Sequence, residues 1–338
     1  MLRINRASVL CLIFFVSLII SCSPDQNNSE IIDEENETEV SSEDENKVYP
    51  EGVAFETQEK LSEFLEKGYT EINGSLSFIG TEIDDVSECT QLKKIDGPLS
   101  VVGTNLENLN GLNNIELIDN NQATIQIRNN PKLNNIEALS SVAHKLRDLD
   151  ITNNPNLSSL KGTENITEVR GNLSIRDNEQ LTNLDALHNI QGEVNYVYLI
   201  NSGIENTHGL SKLERIKERL VISNNPNLTS ISFQKLNEVP GFIVNENSSL
   251  LEIIAQPNFT EAEALIITDN TLLEDISGFE NVEGYEYFGI EIRKNAKLDN
   301  FCPLMKIANV AEYDFNIKDN LYNPSKEKIK TGDCQLTE

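Results

Sequence analysis

The chain is predicted to fold as a β-rich solenoid, a right-handed parallel β-helix or leucine-rich-repeat-like array of about eleven coils with a short N-terminal capping helix. Three observations predict it. The phrase LDITNNPNL, starting at Leu149, returns as LSIRDNEQL from Leu173, LVISNNPNL from Leu220, FIVNENSSL from Phe242, LIITDNTLL from Leu265 and IEIRKNAKL from Ile290, with looser copies from Leu76, Leu99, Ile125, Val197 and Phe315. Successive copies are 22 to 26 residues apart, a period that belongs to stacked repeats. Within each copy apolar residues first alternate and then recur every third position, as in Leu106, Leu109, Leu112 and Ile115. Alternation places residues on the two faces of a strand. A spacing of three suits a chain that turns corners and comes back.

The N-terminus reads as an address. Arg3 and Arg6 precede an apolar run from Val9 to Ile20, too short to span a bilayer comfortably. Ile19-Ile20-Ser21-Cys22 resembles a bacterial lipobox, so residues 1–21 are expected to be a signal peptide and Cys22 the lipidated first residue of the mature chain. Several acyl chains on one cysteine would hold the protein at a membrane, at about 0.8 kcal/mol per buried CH₂. Residues 22–50 are acidic with few apolar positions and are expected to form a disordered tether. The address implies a bacterial cell envelope location, at the outer membrane and facing outward.

Residues 51–75 should hold the cap. Thr57 is placed to cap a short helix, Leu61, Phe64 and Leu65 give it an apolar face, and Gly68 ends it. Residues 76–334 form the array. The first inward residue of each strand is Leu76, Leu99, Ile125, Leu149, Leu173, Val197, Leu220, Phe242, Leu265, Ile290 or Phe315, and the residue two further on is always apolar. Like strands stacked about 4.8 Å apart would make a sheet roughly 50 Å long.

Five residues after most strand starts stands an asparagine: Asn130, Asn154, Asn178, Asn225, Asn247, Asn270, Asn295 and Asn320, with Thr81, Thr104 and Ser202 as exceptions. A buried amide must satisfy its donors and its acceptor. Stacked copies can do so against neighbouring coils, so these residues are read as a structural ladder. The L-x-I-x-x-N-x-x-L phrase, the G-x-L lead-in to strands (Gly74-Ser75-Leu76, Gly97-Pro98-Leu99, Gly171-Asn172-Leu173) and the spacing together resemble the receptor L-domain type of leucine-rich solenoid over about residues 55–335. The ending, FCPL from Phe301 and TGDC from Thr331, is similar to lipid-anchored bacterial members of that group. In animal receptors such domains bind protein ligands on the sheet face; for bacterial members the resemblance implies a cell-surface binding role.

Cys89 continues the spacing of three in the first coil and stands where Leu112 stands in the next, so a buried, inert thiol is expected. Cys302 is off that phase and Cys334 follows the last strand. In an oxidising envelope a bridge between them would tie the tail over the last coil; the alternative is two free thiols.

No catalytic constellation appears: there is no G-x-S-x-G, H-E-x-x-H, phosphate loop or paired C-x-x-C. His144, His188 and His208 all fall in return segments, and no calcium loop is visible. The chain is read as a non-enzyme without cofactor or metal. Its formal charge of −28 has no basic stripe within it, which argues against nucleic acid and suits a soluble monomer. What remains informative is the outward set of strand residues. Early coils offer Ser77 and Ile79, then Ser100 and Val102; Tyr196, Tyr198, Ile200, Val221, Ile243 and Ile266 form a contiguous apolar run flanked by charge and are the candidate partner-binding residues. Asp150 lies between Arg128 and Arg176 and reads as a cross-strand charge ladder. Protein recognition or adhesion is the expected role; the alternative is a glycan-binding accessory lipoprotein, in which Tyr196 and Tyr198 stack on sugar rings.

Overall fold

The computed structural model describes residues 46–336 apart from 118–121, 143, 255–256, 284–288 and 313. The expected signal peptide, Cys22 and the tether as far as residue 45 lie outside the described residues. A single parallel sheet of twelve strands organises the rest: β1 (Val53–Phe55), β2 (Leu76–Ile79), β3 (Leu99–Val102), β4 (Thr124–Arg128), β5 (Asp148–Thr152), β6 (Asn172–Arg176), β7 (Gly192–Ile200), β8 (Leu213–Ser223), β9 (Gly241–Asn245), β10 (Ala264–Thr268), β11 (Gly289–Arg293) and β12 (Asn316–Lys318). Each strand pairs with the next in chain order, so every connection returns the chain to the same sheet one strand further on. The register keeps equivalent residues level: Ile125, Leu149, Leu173 and Val197 pair in turn.

Alternation does what the sequence requires of it. Leu149 and Ile151 are wholly buried, as are Leu173 and Ile175, while Asp150 and Thr152 keep partial contact with solvent. The three-spaced residues close the core from the other side: Leu133, Ile136, Leu139 and Val142 are buried, and so are Leu181, Leu184, Leu187 and Ile190. Removing one such side chain from water stabilises by about 1.5–3 kcal/mol before chain entropy is counted. The return segments are short 3-10 turns and two-residue strands. Val48–Tyr49, Glu71–Ile72, Lys94–Ile95 and Glu116–Leu117 form a small parallel sheet of their own.

Each strand from β2 onward ends in the same way. The residue after it adopts a left-handed conformation, at Gly80 and Gly103 and then at Asn129, Asn153, Asp177, Asn201, Asn224, Glu246, Asp269, Lys294 and Asp319. The chain turns there and sends the next side chain, the ladder position, into the interior. Asn130, Asn154, Asn178, Asn225, Asn247, Asn270 and Asn295 are fully buried. Each Nδ2 donates to a strand carbonyl of the preceding coil, as Asn154 does to Ile127 O at 3.0 Å. The Oδ1 of Asn154 accepts from the backbone N–H of Asn130 at 3.2 Å and from its Nδ2 at 3.0 Å.

Three departures from the sequence reading stand out. Val48–Tyr49 pairs with Glu71–Ile72, so the last residues assigned to the tether are part of the ordered fold. β1 falls inside the segment expected to hold only a helix. It escaped notice because Phe55 is followed by the Thr57 cap and not by an asparagine. Finally, β7 and β8 run to 9 and 11 residues, much longer than their neighbours, with Val194 and Ile216 adding buried positions.

At the N-terminal end α1 (Gln58–Leu65) is capped by Thr57, whose side chain accepts from Lys60 N. Leu61 and Phe64 are buried; Leu65 is only partly so. Gln58 donates to Asp85 O at 2.7 Å and Gln91 to Leu65 O at 2.8 Å, which fixes the helix against the 3-10 turn Ser87–Gln91. The rings of Tyr49, Phe55 and Tyr69 cluster around Phe64 of the helix, Tyr49 and Phe55 edge-on to it and Tyr69 stacked on it. At the other end α2 (Met305–Val310) packs on α3 (Lys326–Lys330). Cys302 and Cys334 form a disulfide, and Phe301 N donates to Cys334 O at 2.8 Å. Cys89 is a free, buried thiol.

Candidate binding face of the parallel sheet

The inward residues are committed to the core, so chemistry that reaches solvent from the sheet must come from the outward rows. Register defines them. The middle row runs Ser77, Ser100, Gln126, Asp150, Ser174, Tyr198, Val221, Ile243, Ile266, Glu291 and Asn316. Four consecutive strands, β7 to β10, therefore place an apolar side chain at the same level. Tyr198, Val221, Ile243 and Ile266 are all partly exposed. Tyr196 lies one row below and Ile200 one row above, both also partly exposed. Next to them in register are Arg219, Gly241 and Ala264 below, and Ser223, Asn245 and Thr268 above. The apolar surface is thus one row wide from β8 to β10, and three residues wide only on β7.

The tyrosines are held rigidly. Their rings stack with centroids 6.0 Å apart and planes within 7°. The guanidinium of Arg176 lies over the Tyr198 ring, 4.1 Å from its centroid, a favourable contact for a planar cation. On the N-terminal side of this pair is a shallow concavity of about 660 Å³, lined among others by Gln126, Arg128, Asp150, Asn172, Ser174 and Arg176. Asp150 is bonded by Arg128 and accepts from Thr152 Oγ1 at 2.5 Å. It forms no ion pair with Arg176, so the expected three-membered charge ladder closes on the Arg128 side alone. Asp148 accepts from the backbone N–H and side-chain Nδ2 of Asn172, both at 2.8 Å, and from Arg147 Nε at 2.8 Å.

The charge of this face differs from that of the chain. In the three register rows its outward positions carry five cations, Arg128, Arg176, Arg219, Arg293 and Lys318, against three carboxylates, Asp148, Asp150 and Glu291, and the extensions of β7 and β8 add Arg215 and Lys217 against Glu193, Glu214 and Glu218. The chain as a whole stands at −28. A larger concavity of about 700 Å³ lies off the face, around Lys145, Glu168, Arg170, Glu193 and Lys217. Its charges satisfy one another. Glu168 pairs with Arg170 at 2.6 Å and Lys145 at 3.5 Å, and Glu193 with Lys217 at 2.7 Å. The hydrogen bond from Arg170 holds the Glu168 carboxyl below its ordinary range, and that from Lys217 does the same for Glu193.

The three histidines are exposed and separate in the chain. His144 and His188 contact the backbone carbonyls of Asn165 and Asp185. Among the described residues no group of three His, Cys, Asp or Glu side chains is placed to hold a metal. None of the described helices is long and apolar enough to cross a membrane.

Sequence reasoning missed a second set of amides. The left-handed residues outside the ladder also bond from coil to coil, Asn153 Nδ2 to Asn129 Oδ1 at 2.9 Å, Asn201 Nδ2 to Asp177 Oδ1 at 2.8 Å and Asn224 Nδ2 to Asn201 Oδ1 at 3.1 Å. Before the 3-10 turns, side chains of Asp85, Asn108, Asn135, Asn183, Asn206, Asp275 and Asn300 accept from the N–H two residues on, a local turn typical of these residues. The signal was present as an Asn or Asp nine or ten residues after seven of the eleven strand starts.

Comparison with known proteins fits this architecture. The family model described as the receptor L domain matches residues 70–163, which contain β2 to β5. That family is one of ligand-binding, non-catalytic domains. A search of curated proteins finds no match. The matched segment ends before the apolar row begins at Tyr198.

Proposed function

We propose that this chain is a non-catalytic surface lipoprotein, anchored to the bacterial outer membrane through Cys22, that recognises a protein partner with the outer face of its sheet. The anchor and the address rest on the N-terminal sequence alone. In this reading the array comprises about eleven right-handed coils beginning at β2, with α1 covering its start. The contact residues are Tyr196, Tyr198, Ile200, Val221, Ile243 and Ile266.

One observation carries the proposal: the register row Tyr198–Val221–Ile243–Ile266, four apolar side chains in line on consecutive strands. A solvent-facing sheet surface is normally polar between its inward residues. A row of this kind buries favourably only against another apolar surface. The stacked tyrosines give it a rigid aromatic end, the type of residue that dominates interface energetics. A glycan finds a platform on those two rings, but Val221, Ile243 and Ile266 offer no partner for the hydroxyls that would lie over them.

Cross-linking on intact cells expressing wild type, Tyr198→Glu or Ile243→Glu chains tests the reading. Loss of the cross-linked partner in both variants, with unchanged thermal unfolding, is the expected outcome. A partner retained by both variants removes the site from consideration. Titration of the protein with a polysaccharide panel, followed by tyrosine fluorescence, distinguishes the glycan alternative.

A further inference from the structure

Most charged side chains on the sheet face are matched. Arg128 is paired with Asp150 and Arg293 with Glu291. Arg176 is not: among the described residues its guanidinium forms neither an ion pair nor a hydrogen bond, and its Nε is buried without a partner. It is held in place by stacking on Tyr198 at 4.1 Å. Its register neighbours, Thr152 and Ile200, bring no charge. A guanidinium fixed by its flat face presents its N–H edge, and the ligand that matches two parallel N–H groups is a carboxylate. The concavity of about 660 Å³ beside it leaves room for one. Arg219, one strand beyond Tyr196, is exposed and likewise unpaired among the described residues. In a chain of −28 these two arginines mark where an anionic group is welcome.

We propose that Arg176, stacked on Tyr198, is the receptor for a carboxylate side chain of the partner, and that the partner presents it from an amphipathic helix whose apolar stripe lies along Val221, Ile243 and Ile266. This rests on the protein-binding reading above and specifies its chemistry. The helix follows from hydrogen bonding. Strands β7 to β10 direct their backbone groups at one another in the parallel ladder, so the face offers none to an incoming chain. An extended segment laid on the aliphatic row would bury its own N–H and C=O groups unpaired. A helix satisfies its own. The dimensions agree: three strand steps from Tyr198 to Ile266 cover about 14 Å, the length of roughly ten helical residues. Salt dependence should be modest, because a stacked and partly buried cation is screened less than an exposed one.

The test is a displayed library of 14-residue helical peptides with randomised surface positions, selected on the full-length chain. The expected winners carry Asp or Glu about one turn from an apolar i, i+3/i+4, i+7 stripe. For such a peptide Arg176→Gln weakens binding about tenfold or more. Glu→Gln in the peptide does the same, and the two losses do not add. Arg176→Lys, which keeps the charge but not the planar fork, should lose most of the gain, and thermal unfolding of both variants should match wild type. An enriched set without acids, binding indifferent to Arg176→Gln, or no enrichment overturns the proposal. So does oligogalacturonate binding that depends on Arg176, which reassigns the site to an anionic polysaccharide. A Tyr198-dependent cross-link on cells alongside a failed selection leaves the protein-binding reading standing and removes this one.

Discussion

Asn247 accepts two hydrogen bonds from Asn225 with one oxygen, from the backbone N–H at 3.0 Å and from the side-chain Nδ2 at 3.2 Å. Both residues are fully buried. Asn247 in turn donates to Ile222 O and to Asn270 Oδ1, so its amide bridges the coil before it and the coil after it. Replacing Asn247 with leucine keeps the volume roughly constant and strands the donors of Asn225. At 1–3 kcal/mol for each buried unsatisfied group, the loss should be about 2–5 kcal/mol in urea unfolding. Ser202→Ala is the control. Its hydroxyl makes one local bond, to Ile200 O, and its removal should cost about 1 kcal/mol or less.

Close approach of successive coils makes a second prediction. A Cβ on Gly209 would lie 1.9 Å from Leu184 O and 2.4 Å from Leu184 C, both backbone atoms of the preceding coil. Neither can withdraw without disturbing its own pairing. Gly209→Ala should therefore destabilise by about 3 kcal/mol. Gly103 has nothing within 4 Å but a φ of +68°. Gly103→Ala carries only the cost of a left-handed alanine, about 1 kcal/mol. Midpoints of urea unfolding for the two variants, measured side by side, separate crowding from backbone conformation.

The Cys302–Cys334 bridge spans 32 positions of sequence. Closing a loop of that length removes unfolded-state entropy worth about 3–4 kcal/mol. Cys302→Ser with Cys334→Ser should lower stability by up to that amount, with the effect concentrated at the C-terminal end. Hydrogen exchange reads this directly. The N–H of Phe301, bonded to Cys334 O, should lose protection before amides of β5 or β6 do.

Cys89 offers an internal probe of the opposite end. Burial, helped by the charges of Asp85 and Glu88, pushes its thiol up from 9.0 to about 12. At pH 8 the native protein should be inert to thiol alkylation at this position, and the reaction should appear with the urea transition. Labelling well below that transition would report local opening of the first coils.

Much of the fold is legible because two kinds of position tolerate few residues. Inward positions must be apolar, and ladder positions must supply a donor and an acceptor in one short side chain. Both recur with the coil and can be read. The left-handed position before the ladder is different. Gly80, Asn129, Asp177, Glu246 and Lys294 all occupy it, since its side chain faces solvent and only the backbone is constrained. Glycine, asparagine and aspartate fill nine of its eleven occurrences, as a left-handed backbone favours, but Glu246 and Lys294 break the pattern. β1 and Val48–Tyr49 were hidden for a related reason, as neither leads into an asparagine. On the face, the apolar row could be read from alternation, because register follows from the period. The pairing of Arg128 with Asp150, and the contact of Arg176 with the Tyr198 ring instead of a carboxylate, depend on side-chain conformations that spacing does not encode.

The last rung of the ladder is made within one coil. Asn320 directs its backbone N–H and its Nδ2 to Oδ1 of Asn323, at 2.9 and 3.2 Å, and Asn323 Nδ2 returns to Asn320 O at 2.9 Å. These are the two donors that Asn130, Asn154, Asn225, Asn247, Asn270 and Asn295 hand to the coil ahead. Had they been left open, the end of the array would be a template for the amide of another molecule, and repetition of that contact would be a polymer. Three residues downstream the chain supplies a counterfeit of its own next coil. Asn323→Ala should expose a growing end, and light scattering at rising protein concentration would show whether that single side chain is what makes the stack finite.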